Sequence, residues 1–175
     1  MSDLISLNNI VQQGKNTIMI TQSEDLDNDS NLRLRDLEVE DIHDLFTWRN
    51  HPDIRKNSFN TDTLLWDEHE KWFKAKSKDP DTAIYIACCK NYKVGSIRFE
   101  EKDTAIRVSV MLNPDFLGKG IGSKLINLAT KKFINYRMPD TPIVAEIKKD
   151  NIASVKAFQK AGFKESHVTL VYSNE

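Results

Sequence analysis

The chain is short of several things. Its 175 residues include two cysteines, six glycines and five prolines, and its 26 acidic residues nearly cancel its 25 basic ones, for a net charge of -1. Two cysteines cannot make a disulfide scaffold or a four-thiolate zinc site. Cys88 and Cys89 are also adjacent inside a strand-like run, which sends their side chains to opposite faces, badly placed to bond each other. They read as core or lining residues. The four histidines, His43, His51, His69 and His167, show no ligand spacing with one another or with the cysteines, so no metal is expected. Balanced, scattered charge gives no general pull on nucleic acid. No apolar run approaches the roughly 18 residues that a membrane span needs, and Met1-Ser2-Asp3 lacks the basic flank and apolar block of a secretory signal. The expectation is a soluble, cytoplasmic protein with no nucleic-acid or membrane partner.

What is present points to one domain, since 39% hydrophobic content in 175 residues suffices for a sizeable core. Residues 1–31 stand apart. The stretch from Thr21 to Asn31 is polar and acidic with Leu26 as its one apolar residue, and reads as a flexible arm or linker ahead of a domain spanning 32–175. Just before that stretch, Ile18-Met19-Ile20 could pair with a sheet edge or a partner chain, a homodimer included. From Leu32 the alternation Leu32-Arg33-Leu34-Arg35 predicts a strand. Val39, Ile42, Leu45 and Phe46 then fall at helical spacing, ended by His51-Pro52. A second helix is expected to start near Asp62 or Thr63 and to carry Leu65, Trp66, His69, Trp72 and Phe73. Antiparallel strands follow over Ala83–Cys89, Lys93–Glu101 and Thr104–Leu112. A long helix runs from Ile121 to about Arg137, then come a strand Ile143–Ile147, a helix Asn151–Ala161 stopped by Gly162, and a last strand Lys164–Tyr172. That order gives an α+β fold, a single mixed, mostly antiparallel sheet flanked by helices.

Three of the six glycines fall in Gly118-Lys119-Gly120-Ile121-Gly122, between a strand and a helix. Such a turn exposes successive backbone N–H groups, and at a helix N-terminus it forms an anion cradle whose usual guest is phosphate. The spacing matches neither the dinucleotide fingerprint nor the P-loop. With the strand before it and Asn151-Ile152-Ala153-Ser154, Phe158 and Gly162-Phe163 after it, the loop Leu117-Gly118-Lys119-Gly120-Ile121-Gly122 resembles the GNAT superfamily of N-acetyltransferases. The resemblance covers about residues 32–172 and includes the element order. It departs from the family at Leu117, where a Gln or Arg is usual, and at Phe158, where a Tyr that protonates the leaving sulfur is usual.

The resemblance implies acetyl-CoA as cofactor, held by the cradle (Leu117, Gly118, Lys119, Gly120, Ile121, Gly122, Ser123), by the backbone of Val110, Met111 and Leu112 where the fourth strand splays, and by Asn151 and Phe158. The segment Trp48-Arg49-Asn50-His51-Pro52-Asp53-Ile54-Arg55, followed by Ser58-Phe59 and His69-x-x-Trp72-Phe73, is similar to a narrower branch that acetylates nucleotide-linked amino sugars of pseudaminic-acid-type pathways. It implies Trp48, Arg49, Asn50, Arg55, Phe59 and His69 as acceptor contacts, with a small-molecule amine as substrate. For proton transfer the residues leave choices open. Glu146, inside an apolar strand, is either a base working through water or a solvated charge. Glu100 is a second carboxylate, more often a surface charge in such a place, and Ser154 would assist the leaving thiolate. Two other functions remain compatible with the same motifs: acetylation of a protein N-terminus or ribosomal protein, and non-catalytic acyl-CoA binding.

Overall fold

Residues 32–102 and 104–166 are described in a computed structural model. The five-stranded sheet has the order β1-β2-β3-β4-β5, with β1 Leu32–Asp36, β2 Thr82–Cys89, β3 Tyr92–Lys102, β4 Ala105–Leu112 and β5 Ile143–Val144. The first four pair antiparallel and β5 runs parallel to β4. Strand alternation divides the side chains between two faces, and the two faces are served differently. On one, Tyr85, Ala87, Cys89, Ile97, Phe99, Ile106 and Val108 pack under α4 (Ile121–Arg137) and α5 (Ile152–Lys160). Phe99 stacks on Phe133 at 4.4 Å between ring centroids. On the other, Ile86 joins Leu45 and Trp48 of α1 (Ile42–Asn50) and Phe73 of α3 (Trp66–Lys76). Cys88 packs against this second cluster and Cys89 lies in the first, the opposite-face arrangement expected of neighbours in a strand.

The second face is only partly apolar. Ser96, Arg98 and Glu100 alternate on β3 opposite Met111, Ser109 and Arg107 of β4, and directly opposed residues of an antiparallel pair share a face. A polar row therefore floors the part of this face that α1 and α3 leave open.

One buried carboxylate fixes the start of α1 to the sheet. Asp41, fully buried in a 3-10 turn (Val39–Asp41) ahead of α1, takes Arg35 of β1 at 2.6 and 2.7 Å, Lys93 of β3 at 2.7 Å and the Glu38 amide at 2.9 Å. Lys93 also binds Asp44 at 2.7 Å. Burial alone would push the Asp41 carboxyl up, but the hydrogen bonds from Arg35 and Lys93 outweigh it and hold the group at about 2.

Element boundaries differ from expectation in four places. The second long helix starts at Trp66, not at Asp62 or Thr63, because Asn50 clamps the Leu64 backbone in extended form, donating to its carbonyl at 3.0 Å and accepting from its amide at 2.8 Å. His51-Pro52 both ends α1 and opens a short helix α2 (Pro52–Arg55), with His51 Nδ1 accepting from the Asp53 amide at 3.2 Å. β5 has two residues where five were expected. Lys164–Ser166 form no strand, and the remainder of the expected last strand, with His167, lies outside the described residues, as does the 1–31 arm. Gly162 has φ +101°, consistent with its reading as a helix stop. No helix among the described residues is long and apolar enough to cross a membrane.

Asp41→Asn is expected to destabilise the protein by about 3 kcal/mol, the low end for breaking a buried ion pair, because Arg35 and Lys93 keep 29% and 31% exposure and can recover hydration. The folded-state pKa lies below the unfolded value. The stabilisation is therefore complete above about pH 4 and fades as pH falls through about 2. Urea titrations of both proteins between pH 7 and pH 2 should show the gap closing only at the acid end.

Candidate active site

β4 bonds to β3 along its whole length but to β5 only through Ile106–Ile143 and Arg107–Val144. Beyond Arg107 the two strands part. Among the described residues, the outer edge of Val108–Leu112 has no strand beside it, so its amides and carbonyls face a gap. The gap opens into a cleft of about 520 Å³. Gly95 sets how closely β3 supports this edge: a Cβ there would lie 2.7 Å from the Met111 carbonyl oxygen.

From β4 the chain turns through Asn113, whose side chain accepts from the Asp115 amide and donates to the Lys93 carbonyl, and then through a buried Phe116. Gly118 and Gly120 both have φ +73°, and a Cβ on either would meet nothing within 4 Å. Conformation is what demands glycine here, and the space in front of the turn stays open. Gly120 is the N-cap of the 17-residue α4; no side chain caps that end and no acidic residue sits in its first turn. Uncapped amides and the positive end of a long helix suit an anion. Lys119, its ammonium 5.0 Å from the Phe116 ring centre, adds charge beside the turn. This donor set fits the diphosphate of coenzyme A. Gly122 is different: a Cβ there would lie 3.6 Å from Ala157 and 3.8 Å from Leu112, ordinary contact, so neither space nor conformation demands glycine.

The cleft gathers many of the expected residues. Val110, Met111, Asn151, Ser154 and Phe158 line it on the β4 and α5 side, and Arg49, Phe59 and His69 line it opposite. Asn151 caps α5, accepting from the Ser154 amide at 3.2 Å. Phe158 is buried, edge-on to Phe163, and has no proton to give. Glu146 stands exposed past the end of β5, paired with Arg107 at 3.3 Å. Leu112 packs toward the core, Ser123 is buried with its hydroxyl 3.4 Å from the Gly120 carbonyl, and Leu117 is partly exposed at the turn. Three expected acceptor contacts do not line the cleft. Trp48 is core, Asn50 clamps Leu64, and Arg55 hydrogen-bonds Thr63.

The floor was not anticipated. Arg98 lies 3.0 Å from Glu100 and 5.3 Å from the Trp72 ring centre, and Lys76 reaches the other Glu100 oxygen at 2.8 Å. Burial works to raise the Glu100 pKa, but the Lys76 hydrogen bond and the Arg98 charge outweigh it, so the carboxyl sits below its usual range and makes a poor base. The available signal was a polar stripe, Ser96-x-Arg98-x-Glu100, in a central strand whose other positions are apolar.

His69 is buried among Phe46, Trp66, Trp72 and Phe73. Its Nε2 lies 2.8 Å from the Ile42 carbonyl, which can only accept, so Nε2 carries the hydrogen and Nδ1 is a lone-pair acceptor with no partner among the described residues. Burial lowers its pKa and keeps the ring neutral. Arg49 bonds the Asn60 carbonyl at 2.7 Å, and its Nη1 has no partner among the described residues. Burial and the nearby Arg55 charge both lower its pKa.

A parting of strands beside an uncapped glycine turn, over a polar floor, defines a site for an acyl donor with a phosphate-bearing handle. The family model described as an acetyltransferase (GNAT) domain matches residues 31–164, and the chain belongs to that family. Among curated proteins it is similar to the uncharacterized protein MJ1062 of Methanocaldococcus jannaschii, 30% identical over 144 residues. That match spans 79% of this chain but only 29% of the relative. It is also similar to the acetyltransferase PseH of Campylobacter jejuni, 27% identical over 129 residues, 73% of this chain and 80% of the relative. Among solved structures, spermidine N-acetyltransferase from Vibrio cholerae in complex with CoA and spermine superposes with TM-score 0.71 at 21% identity, over 79% of this chain and 83% of that one. The aminoglycoside acetyltransferase AAC(6')-Ib in complex with coenzyme A gives TM-score 0.63 at 21% identity, over 77% and 85%.

Gly120→Val is expected to weaken acetyl-CoA binding by at least ~10-fold. A β-branched residue strains the left-handed turn and projects into the open space in front of it. Isothermal titration calorimetry on the folded variant checks it, and unchanged affinity would remove the cradle from the site.

Proposed function

We propose that this GNAT acetyltransferase acetylates a primary amine on an anionic acceptor, and that the acceptor is a nucleotide-linked amino sugar. The observation that carries the proposal is the charge distribution. Both carboxylates of the cleft are already paired, Glu100 with Lys76 and Arg98, and Glu146 with Arg107. Arg49, by contrast, has only another cation, Arg55, as a charged neighbour, and no carboxylate partner among the described residues. Two uncompensated guanidinium groups near the cleft suit a diphosphate, and Phe59, 68% exposed on the cleft lining, offers a face for a nucleobase. The likeness to the acetyltransferase PseH agrees with the acetyl-transfer part of this reading. The transferase unit would be residues 32–175 with 1–31 a separate arm, acting in the cytoplasm.

Acetyl-CoA supplies an acyl thioester with a good leaving group. The chain's part is to hold and orient. The cradle amides take the diphosphate. The open edge of Val108–Leu112 offers amides to the pantetheine arm and the acyl oxygen, where one well-placed donor is worth roughly 3 kcal/mol. With Phe158 unable to act as an acid, the thiol leaves by virtue of its own pKa, near 8.5. The amine must arrive, or become, neutral.

The test is a mass-spectrometric screen of the full chain with acetyl-CoA against uridine- and thymidine-diphosphate amino-deoxyhexoses, spermidine, and peptides with free N-termini. Acetylation of a sugar nucleotide at least ~10-fold more efficient than of the others supports the reading. A preference for spermidine or for peptides ends it. Arg49→Ala should raise the KM for the sugar nucleotide by ~10-fold or more, as loss of a charge-assisted hydrogen bond does, and leave that for acetyl-CoA unchanged.

A further inference from the structure

The Arg98 guanidinium is held where an acceptor must pass. By register Arg98 stands opposite Ser109, on the same face of the sheet, one residue along β4 from the start of the open edge at Val108. It lines the cleft and keeps 28% exposure. Three groups from two elements fix it: the Trp72 ring of α3 lies 5.3 Å away, Glu100 of β3 takes one end of the fork at 3.0 Å, and Lys76, at the end of α3, braces Glu100 at 2.8 Å. Its Nε, meanwhile, has no hydrogen-bond partner among the described residues. A buried donor left unpaired is costly unless a ligand or water satisfies it.

We infer that Arg98 is the specificity-determining residue of the acceptor site: it donates hydrogen bonds to an oxygen of the acceptor next to the reacting amine, and its charge excludes ammonium groups. Oxygen-rich acceptors such as acylated or phosphorylated amino sugars are admitted, and their amine reacts as the free base. Polyamines are rejected because the floor presents them with a fixed cation and, among the described residues, no unpaired carboxylate. Lys76, Glu100 and Trp72 are positioning residues, acting through Arg98. The inference rests on the amine-acetylating reading above, but its charge-exclusion half is read with spermidine whatever the natural acceptor.

The experiment compares wild type with Arg98→Lys, Arg98→Met and Lys76→Met, using acetyl-CoA with spermidine and with the best acceptor of the screen. Arg98→Met should raise kcat/KM for spermidine ~10-fold or more, and raise the KM for an oxygen-rich acceptor by a similar factor as the hydrogen bond is lost. Arg98→Lys should still reject spermidine, since the charge remains, yet lose much of the oxygen-rich acceptor's affinity, since the fork is gone. Lys76→Met should shift both values in the direction of Arg98→Met but by less, with the KM for acetyl-CoA unchanged in all three. If Arg98→Met leaves the ranking of acceptors within ~3-fold of wild type, Arg98 does not set specificity, even where the sugar-nucleotide acceptor is correct. If wild type itself turns over spermidine as well as any acceptor, the charge exclusion and the anionic acceptor both fail. Should Arg98→Met not fold, Arg98→Lys and Lys76→Met decide, and no change in either overturns the inference.

Discussion

Everything at the site depends on β5 being short. A parallel neighbour along the whole of β4 would satisfy the backbone groups of Val108–Leu112 and leave nothing for a ligand to bond. The pairing instead ends at Arg107–Val144, after the Ile106 amide has bonded the Pro142 carbonyl at 2.9 Å. Buried backbone groups must find partners, so an edge left open inside a cleft, next to a helix end that is also open, is chemical capacity held for a cofactor. The cradle and the edge are consecutive in sequence, joined through Asn113 and the buried Phe116, so one short segment presents both sets of amides.

Much of this was legible in the chain, and the reasons differ by residue. Gly118 and Gly120 were readable because few other residues tolerate φ +73°, and the 17-residue helix behind them followed from its apolar stripe. Asn151 was readable as the start of the last described helix, which it caps. The loop between α1 and α3 was not. The clamp by Asn50 on Leu64 joins residues 14 apart, and no local propensity reports such a bond. Trp48 and Arg49 are neighbours in one helix, so a quarter turn decides that one is core and the other lines the cleft. β5 was overestimated for a related reason: an apolar run states that a segment is buried, not how long it stays paired.

The central strand carries the opposite lesson. On one face of β3, Ile97 and Phe99 are fully buried under α4; on the other, Ser96, Arg98 and Glu100 form a polar row beside Ile86 and Ile84 of β2. A polar row in the middle of a sheet is expensive unless its members satisfy one another, and Arg98, Glu100 and Lys76 largely do. That mutual pairing also removes Glu100 as a strong base, since the partners that make its burial tolerable are those that lower its pKa. Stability and proton transfer draw on the same carboxylate here, and stability has the larger share.

The scaffold alone cannot choose the acceptor. Structures that carry spermine or an aminoglycoside superpose on this chain with TM-scores between 0.6 and 0.75, so sheet order and cradle are common ground and chemistry must be separated elsewhere. On the reading proposed above, the separation lies in two places that packing and hydrogen bonds hold. One is the floor, where Arg98 is gripped by Trp72 and Glu100. The other is the 51–65 segment, which carries Arg55 and Phe59, bonds Arg49 through the Asn60 carbonyl, and is pinned at its far end by Asn50. Asp41 supports both, since it ties the start of α1 to β1 and to β3. On that reading, a fully buried carboxylate outside the cleft lining helps set the distance between the cations proposed to meet the acceptor and the strand edge proposed to meet the thioester. Changes at Asp41 should therefore reach the cleft directly through α1, and the cradle only through Lys93, whose carbonyl accepts from the Asn113 side chain at the start of the turn.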